Sequence, residues 1–531
     1  MSLLNYSHSA LSLVTPATAI ILAVLTRKVI LSLSAGIAIG ALLLTGFNPL
    51  HAITYIAEGF ISIFWDNGFN RDKAFILIFL LFLGVMTSLI SLSGGAQAFG
   101  NWAKKYVKDR QGAQVFTVLM GILIFIDDYF NALAVGSVSR PLTDQNKVSR
   151  AKLAYLLDST AAPVCALVPV SSWGAYLIAL IGSIMASHGV TGTSAFGAFL
   201  EVVPMNLYAV FALGMVFMTA YLDLNVGPMR RHEALAMAGQ PYDQSEDDSL
   251  KGVQLEEYGK GRIADLVVPI ITLVLATVTV MIWTGADVLT AQGQAFSVLG
   301  AFENTQVGDS LVYGSFAGLA ITILRMLSHK LPGKLWYKAI TDGVRSMLPA
   351  ICILTLAWVL TGVIGHLEAG KYLASLVPQS FSSGYLPMIL FVVSGIMSFA
   401  TGTSWGTFGI MLPLAGDMTA ATDINMLLPV MAAVLAGSVF GDHCSPISDT
   451  TILSSAGASC KHIDHVSTQL PYAISIALVS MFGYLVMGLT ASATTGFFAA
   501  FAAFVLLVLL FKKLSFGQFS DKKAQATLVK E

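Results

Sequence analysis

Gly437–Gly457 reads GSVFGDHCSPISDTTILSSAG. The run lies inside a long apolar stretch, yet it gathers Asp442, His443, Ser445, Ser448, Asp449 and Thr450 around one proline, Pro446. Proline removes a backbone donor and leaves a helical carbonyl without its partner. An ionisable side chain at mid-bilayer costs about 2.5 to 3.5 kcal/mol on insertion scales and is tolerated where it faces a cavity or a partner. Irregular backbone at that depth survives only where it is buried in protein or lines a wet cavity. The segment therefore predicts a helix that breaks inside a membrane protein, with oxygen ligands clustered at the break.

The rest of the chain supplies the membrane. Of 531 residues, 56% are hydrophobic and only 11% charged, and the mean hydropathy is +0.76. A soluble domain of that composition would expose large apolar patches. The net charge of −1 gives no basic field of the kind that nucleic-acid binding needs. Cys165, Cys352, Cys444 and Cys460 show neither paired spacing nor a zinc pattern and read as packing residues. The N-terminus has no charged n-region before its apolar run, so that run is expected to be a retained span.

Spans are predicted near 10–26, 29–46, 74–93, 152–185, 204–222, 263–284, 310–328, 347–366, 425–457, 469–490 and 496–511. That makes about 11 spans, at roughly 20 residues for a bilayer core of about 30 Å. Two further apolar stretches, 112–139 and 385–417, are interrupted mid-way by polar or Gly-rich sequence and read as re-entrant hairpins. Lys and Arg in short loops mark the cytoplasmic side. Arg27 with Lys28, Lys104 to Arg110, Arg140 to Lys152, Arg325 to Lys338, Lys461, and Lys512 with Lys513 form that set, whereas 186–203, 285–309 and 416–424 carry none. The N-terminus is thus expected outside and the C-terminus in the cytoplasm of a multi-pass inner-membrane protein.

The polar stretch 223–262, with Arg230, Arg231, Glu246, Asp247 and Asp248, divides the chain. The expected organisation is a first repeat over 1–222, a cytoplasmic linker over 223–262, a second repeat over 263–490, and an extra C-terminal span with a cytoplasmic tail over 491–531. Each half holds five spans and one hairpin; five is odd, so the second half must enter the membrane inverted. The fold class expected is an all-α polytopic membrane protein of two inverted repeats plus an extra C-terminal helix. Inverted repeats with discontinuous helices meeting near the midplane are the recurrent plan of secondary transporters.

Three other polar clusters interrupt apolar sequence. FIDDYFN carries Asp127, Asp128 and Asn131 at the first hairpin turn; LLDSTAAPVCALVPVSSWG carries Asp158, Ser159 and Thr160 ahead of Pro163 and Pro169; ATGTSWGTFG carries Thr401, Thr403 and Ser404 at the second hairpin turn. SSWG at 171–174 and TSWG at 403–406 echo one another. Carboxylates, hydroxyls and freed carbonyls are hard ligands for a small hard cation such as Na⁺, and no soft-ligand set favours zinc or copper. The residues assigned to ion binding are Asp442, Asp449, Asp158, Asp128, Ser448 and Thr450, with Asp442 and Asp449 first for Na⁺. Asp127, Asn131, Ser159, Thr160, Thr401, Thr403, Ser404, His443 and Ser445 are assigned to substrate contact.

Plainer readings stand beside these. Asp127 or Asp128 would cap a hairpin helix, and Asp158 with its neighbours would serve a break-and-cap role. His443 would be a hydrogen-bond partner, Thr401 to Ser404 would let helices approach closely, and Trp173 and Trp405 would be packing. Such readings are weakest for Asp442 and Asp449, two acids straddling a proline.

Gly437–Gly457, FIDDYFNALAVGSVSRPLTD and LLDSTAAPVCALVPVSSWGAYL together resemble the NhaC-type Na⁺/H⁺ antiporter family of the ion-transporter superfamily, over about Asp127 to Pro471. The resemblance implies Na⁺-coupled secondary transport by alternating access, with Na⁺ and H⁺ as moving ions and no cofactor; homodimerisation is expected by superfamily analogy. It leaves two functions open, Na⁺/H⁺ antiport and Na⁺-coupled carriage of an amino acid or small carboxylate. An intramembrane aspartyl-protease dyad is disfavoured, since no GxGD context surrounds Asp442, so no enzyme is expected. A channel is disfavoured by the lack of a short symmetric filter.

Overall fold

A computed structural model describes residues 3–519 except 7–8, 27, 66–67, 240–260, 331, 369–371 and 373–381. Arg27, the acidic run Glu246 to Asp248 and the tail from residue 520 onward lie outside the described residues. Every regular element within them is helical, apart from a single bridge between Trp65 and Phe69. Eight helices are long and apolar enough to cross a membrane, or up to ten when each bent pair counts as one span. The protein is thus an all-helical polytopic membrane protein.

The expectation of about eleven spans at the bilayer's length requirement exceeds this count for a local reason. The first two apolar runs make helices of only 13 and 16 residues, Val14–Thr26 and Val29–Leu44, because the chain turns at Lys28 and again at Gly46, where φ is +63°. The run at 204–222 extends backward instead, as Ala195–Met205 and Leu207–Leu222 bent by 51° at Asn206. The run at 347–366 is the end of a 35-residue helix, Gly333–Leu367. Part of the linker is also ordered, as the helix Met229–Met237.

Two hairpins and two broken helices form the centre. The first hairpin is Arg110–Leu123 with Asp128–Gln145, and the first broken helix is Arg150–Leu167 with Ser172–Ser187, bent by 40°. The second hairpin is Leu386–Thr401 with Ser404–Thr422, and the second broken helix is Leu427–Cys444 with Asp449–Ala458. Hairpin then broken helix occurs in the same order in both halves, followed by the bent pair Ala195–Met205 and Leu207–Leu222 in the first and by the continuous helix His462–Thr490 in the second. The ends of the first hairpin meet at the face rich in Lys and Arg, where the Arg110 guanidinium donates to the Lys147 carbonyl. The second hairpin ends at the opposite face, beside His188. Its first arm alone has the length and hydropathy of a span, which departs from the re-entrant reading.

Each break is written in capping residues. Asp127, Ser171, Thr403 and Ser448 are the N-caps of the helices that restart after the four interruptions, each accepting from the backbone N–H three residues on, as short polar side chains do. Pro163 stays inside its helix, and the first break comes at Val168–Ser171, around Pro169. The second break holds Pro446 between Ser445 and Ser448. At the tip of the second hairpin Gly402 has φ +67°, and a Cβ there would lie 2.7 Å from the Ile447 carbonyl oxygen, so the position needs glycine twice over.

Candidate functional site

The four restarted helices begin close together. The Ile126 carbonyl at the first hairpin turn accepts from the Ser172 N–H at 2.9 Å. Asp127 accepts from Phe130 N–H at 3.1 Å through Oδ1 and from the Ser172 hydroxyl at 3.1 Å through Oδ2. Tyr129 donates its hydroxyl to Asp449 Oδ2 at 3.1 Å, which joins the first hairpin to the restart of the second broken helix. Ser404 donates to Asp442 Oδ2 twice, from its N–H at 3.1 Å and its hydroxyl at 2.8 Å. Trp173 and Trp405, from the SSWG and TSWG echoes, meet edge to face with centroids 5.8 Å apart.

Three of these N-termini, those of Asp128–Gln145, Ser404–Thr422 and Asp449–Ala458, wall a chamber of about 80 Å³ lined by Asp127, Asp128, Tyr129, Thr403, Trp405 and Asp449, closed on its far side by Ser346 to Ile353 of Gly333–Leu367. Pro349 lies in that stretch and deprives the Arg345 carbonyl of its helical partner. A vestibule of about 360 Å³ meets the chamber at Asp127, Tyr129 and Ser346 and runs past Lys338 and Asp342 toward the basic face. No Lys, Arg or His lines the chamber. Asp128 Oδ2 and Asp442 Oδ1 are buried and no hydrogen bond of normal geometry reaches them, although the Trp173 indole N–H lies near Asp128 and the Ser448 hydroxyl near Asp442, and Asp128 faces the negative charges of Asp127 and Asp442. A free carboxylate oxygen in a dry site is costly unless a cation or proton meets it.

Asp158 is the opposite case. Its Oδ2 accepts from Thr451 at 3.1 Å, His465 Nε2 at 3.2 Å and Gln469 at 2.7 Å, and its Oδ1 from Ser454 at 3.4 Å. It sits mid-helix, fully buried, and ties the first broken helix to Asp449–Ala458 and to His462–Thr490. His443 is similarly engaged, with Nε2 3.1 Å from the Ser159 hydroxyl and Nδ1 2.7 Å from the Tyr208 hydroxyl.

The remaining assigned residues take up backbone groups. Asn131 donates to the Gly121 and Ile124 carbonyls at 2.6 and 2.7 Å and closes the first hairpin turn. Thr160 and Thr401 bond back to Leu156 and Met397 of their own helices. Ser445 donates to the Phe399 carbonyl at 2.8 Å, and Ser448 shares a 2.8 Å hydrogen bond with Thr450. The structure therefore brings Asp127, Asp128, Thr403, Ser404, Asp442 and Asp449 together, and sets Asp158, Ser159 and His443 in a separate network. Of the two acids ranked first, Asp442 is buried while Asp449 is exposed to the chamber.

Sequence reasoning did not single out Tyr129, Tyr208, Thr451, His465 or Gln469. His465 and Gln469 lie four apart in the polar first turns of His462–Thr490, so they share one face, but among so many polar neighbours the pair did not stand out. Among the described residues no three His, Cys, Asp or Glu side chains converge as a metal site. A Na⁺ ion would be held by one or two carboxylates with hydroxyl and carbonyl oxygens, the donor types this chamber offers.

At the basic face the linker is clasped to the core. Lys152 is fully buried and donates to the Leu224 carbonyl at 3.0 Å and to Asn225 at 2.6 Å. Arg110 pairs with Asp223 at 3.0 Å and with Glu233. Burial pushes the Asp223 carboxyl up, but Lys152 and Arg110 outweigh it and hold it at about 2.

A family model described as the Na⁺/H⁺ antiporter family matches residues 164–489. A Haemophilus influenzae protein described as uncharacterized is 47% identical over 515 residues, 97% of this chain and 97% of its own. A second Haemophilus influenzae protein, described as an uncharacterized Na⁺/H⁺ antiporter, is 31% identical over 154 residues, 28% of this chain and 32% of its own. A Bacillus subtilis malate-2H⁺/Na⁺-lactate antiporter is 32% identical over 157 residues, again 28% of this chain and 32% of its own.

Proposed function

Because the chain belongs to the Na⁺/H⁺ antiporter family, we propose that it exchanges Na⁺ for H⁺ across the cell inner membrane by alternating access, as a member of the NhaC type. The observation that carries this reading is a pair of carboxylate oxygens without a hydrogen bond, Asp128 Oδ2 in the wall of a chamber that has no basic side chain and Asp442 Oδ1 buried behind that wall within electrostatic reach of Asp128. Each helix N-terminus carries roughly +0.5 charge, so the four that converge offset about two of the four carboxylate charges. The remainder calls for monovalent cations or protons, and a site that accepts either exchanges one for the other. Asp128 and Asp442 are the exchanging groups, Asp127, Asp449, Thr403 and Ser404 complete the oxygen set, and Tyr129 orients Asp449. The two halves act as inverted repeats around this site. The basic face is cytoplasmic, which puts the N-terminus outside, and no cofactor is required.

In everted vesicles, Na⁺ added to the wild type is expected to collapse an imposed pH gradient, while Asp442→Asn and Asp128→Asn leave the gradient intact at equal expression. Wild-type exchange in both variants would sink the reading.

One observation favours a second reading. The vestibule, at about 360 Å³, falls within the range of small-molecule pockets, about 300–1,000 Å³, and carries Lys338 at its mouth. An amino acid or small carboxylate would dock there with Na⁺ in the chamber, in the manner of the malate and lactate carrier to which the chain is similar in part. Labelled substrate uptake that requires Na⁺, in the absence of Na⁺-driven proton movement, would put this reading first.

A further inference from the structure

Two helices that wall the chamber, Gly333–Leu367 and Ser404–Thr422, continue to the opposite face, and there, with the end of Ser172–Ser187, they line a second cavity of about 630 Å³. On Gly333–Leu367 the chamber ends at Ile353 and the outer cavity begins at Trp358, a separation of about 7.5 Å at the helical rise. What fills the gap is aromatic. Trp173 lies 5.8 Å from Trp405 and 5.6 Å from Phe408, and Tyr176 lies 4.5 Å from Trp405, centroid to centroid. The Tyr176 hydroxyl donates to the Trp405 carbonyl at 3.2 Å. One side-chain layer, contributed by the two helices that begin with SWG, separates the two spaces.

The outer cavity has an acidic floor. Asp417, on Ser404–Thr422, is 8% exposed. Its Oδ1 meets His188 Nε2 of the first broken helix at 3.2 Å, while its Oδ2 has no partner. The other charged or titratable groups in the wall are Lys73, His366 and Glu368. Lys73 lies 5.4 Å over the Trp358 ring, and the His366 ring is engaged by the Tyr55 hydroxyl at 2.7 Å. A deep carboxylate with one oxygen held and one free is a half-built cation site of the same kind as Asp442.

We propose that the outer cavity is the far-side half of the transport path, that Asp417 binds the monovalent cation at its floor, and that the Trp173, Tyr176, Trp405 and Phe408 layer is the gate between Asp417 and the inner chamber. The inference rests on the proposed cation exchange and adds the site and the barrier that the cation meets from the other side. His188 fixes the carboxylate through Oδ1 and turns Oδ2 to the ion.

Two measurements test it. The first uses Cys352→Ser, which removes the one exposed native cysteine. In that background Thr403→Cys is expected to react with a membrane-impermeant thiol reagent from the basic face only. Adding Trp405→Ala is expected to raise its labelling from the opposite face at least tenfold, and unchanged labelling overturns the gate. The second places a cysteine in the outer cavity as Ala421→Cys. Na⁺ is expected to protect it from the reagent, and Asp417→Asn to weaken that protection about tenfold in Na⁺ concentration, with Asp417→Glu restoring it. Equal protection with Asp417→Asn overturns the site. Neither readout needs transport, so a wild type that moves no protons with Na⁺ would defeat the proposed exchange while these results still decide the gate and the site.

Discussion

Asp442 and Asp158 are both buried acids on broken helices, and the structure treats them in opposite ways. Asp158 is saturated: four side-chain donors from two elements of the other half converge on it. Asp442 takes both Ser404 hydrogen bonds on Oδ2 and has the Ser448 hydroxyl close by, while no hydrogen bond of normal geometry reaches its Oδ1. A buried carboxylate whose lone pairs are filled is structural, because removing it strands its donors. One left bare is unstable as an anion and stable once a cation or proton arrives. On the proposed exchange, what would separate an ion site from a scaffold knot is the count of filled lone pairs, since burial is common to both.

The largest effect that would break this contrast is on transport. Asp128→Asn is expected to lower Na⁺-driven proton movement at least about a hundredfold, corresponding to nearly 3 kcal/mol, with the thermal midpoint in detergent unchanged or raised. A large loss of stability would mean that Asp128 is structural as well. Asp158→Ala should do the reverse. Stranding Thr451, His465 and Gln469 is expected to cost about 3 kcal/mol of stability, read as a fall of several degrees in the thermal midpoint, while transport per folded molecule stays within a few-fold of wild type. Full stability with abolished exchange would place Asp158 in the ion path and dissolve the distinction. His443→Gln should matter least of the three, since Gln can still bond Ser159 and Tyr208. Exchange within about threefold of wild type is expected, as for a neutral hydrogen bond worth roughly 0.5–1.5 kcal/mol, with the pH profile unmoved. A shifted profile would make His443 a proton carrier.

Much of the architecture was legible because the chain writes its breaks in local chemistry. Pro446, Pro169, the Ser-Trp-Gly echoes and FIDDYF all mark helix restarts, and capping preferences are short-range. The meeting of Trp173 with Trp405 gives the echo a spatial meaning, one that a packing assignment for each tryptophan alone could not carry. The contrast between Asp158 and Asp442 was not legible, since the donors of Asp158 lie 293 to 311 residues away along the chain. The surroundings of Asp449 were hidden for the same reason. Beside Pro446 it reads as the twin of Asp442, and the turn of the helix sets it on the chamber wall, where the Tyr129 hydroxyl donates to it. The span count exceeded the membrane-length helices because the runs predicted at 10–26 and 29–46 form helices of only 13 and 16 residues, the first preceded by a separate turn at Ala10–Leu13.

The same rule extends to the water boundary, where a carboxylate is filled by charges as well as by hydrogen bonds. Asp223 follows the last helix of the first half and takes Arg110 at 3.0 Å and Gln114 at 3.1 Å, with the Lys152 ammonium 3.7 Å away. Burial raises its carboxyl, but the two cations prevail and hold it at about 2, below the ordinary Asp value of about 3.9. A carboxyl depressed on folding contributes stability that is fully present above its unfolded pKa and is lost as pH falls through the folded one. The clasp between the linker and the first broken helix should therefore hold from neutral pH down to about 4 and loosen between about 4 and 2. With 38% of its side chain exposed, water screens part of the interaction, so the effect is the smallest of the set. Thermal midpoints of wild type and Asp223→Asn in detergent should converge as pH drops through that window. Parallel curves down to pH 2 would mean that Asp223 gains nothing from Arg110 and Lys152, and that filled lone pairs stabilise this protein only where the bilayer excludes water.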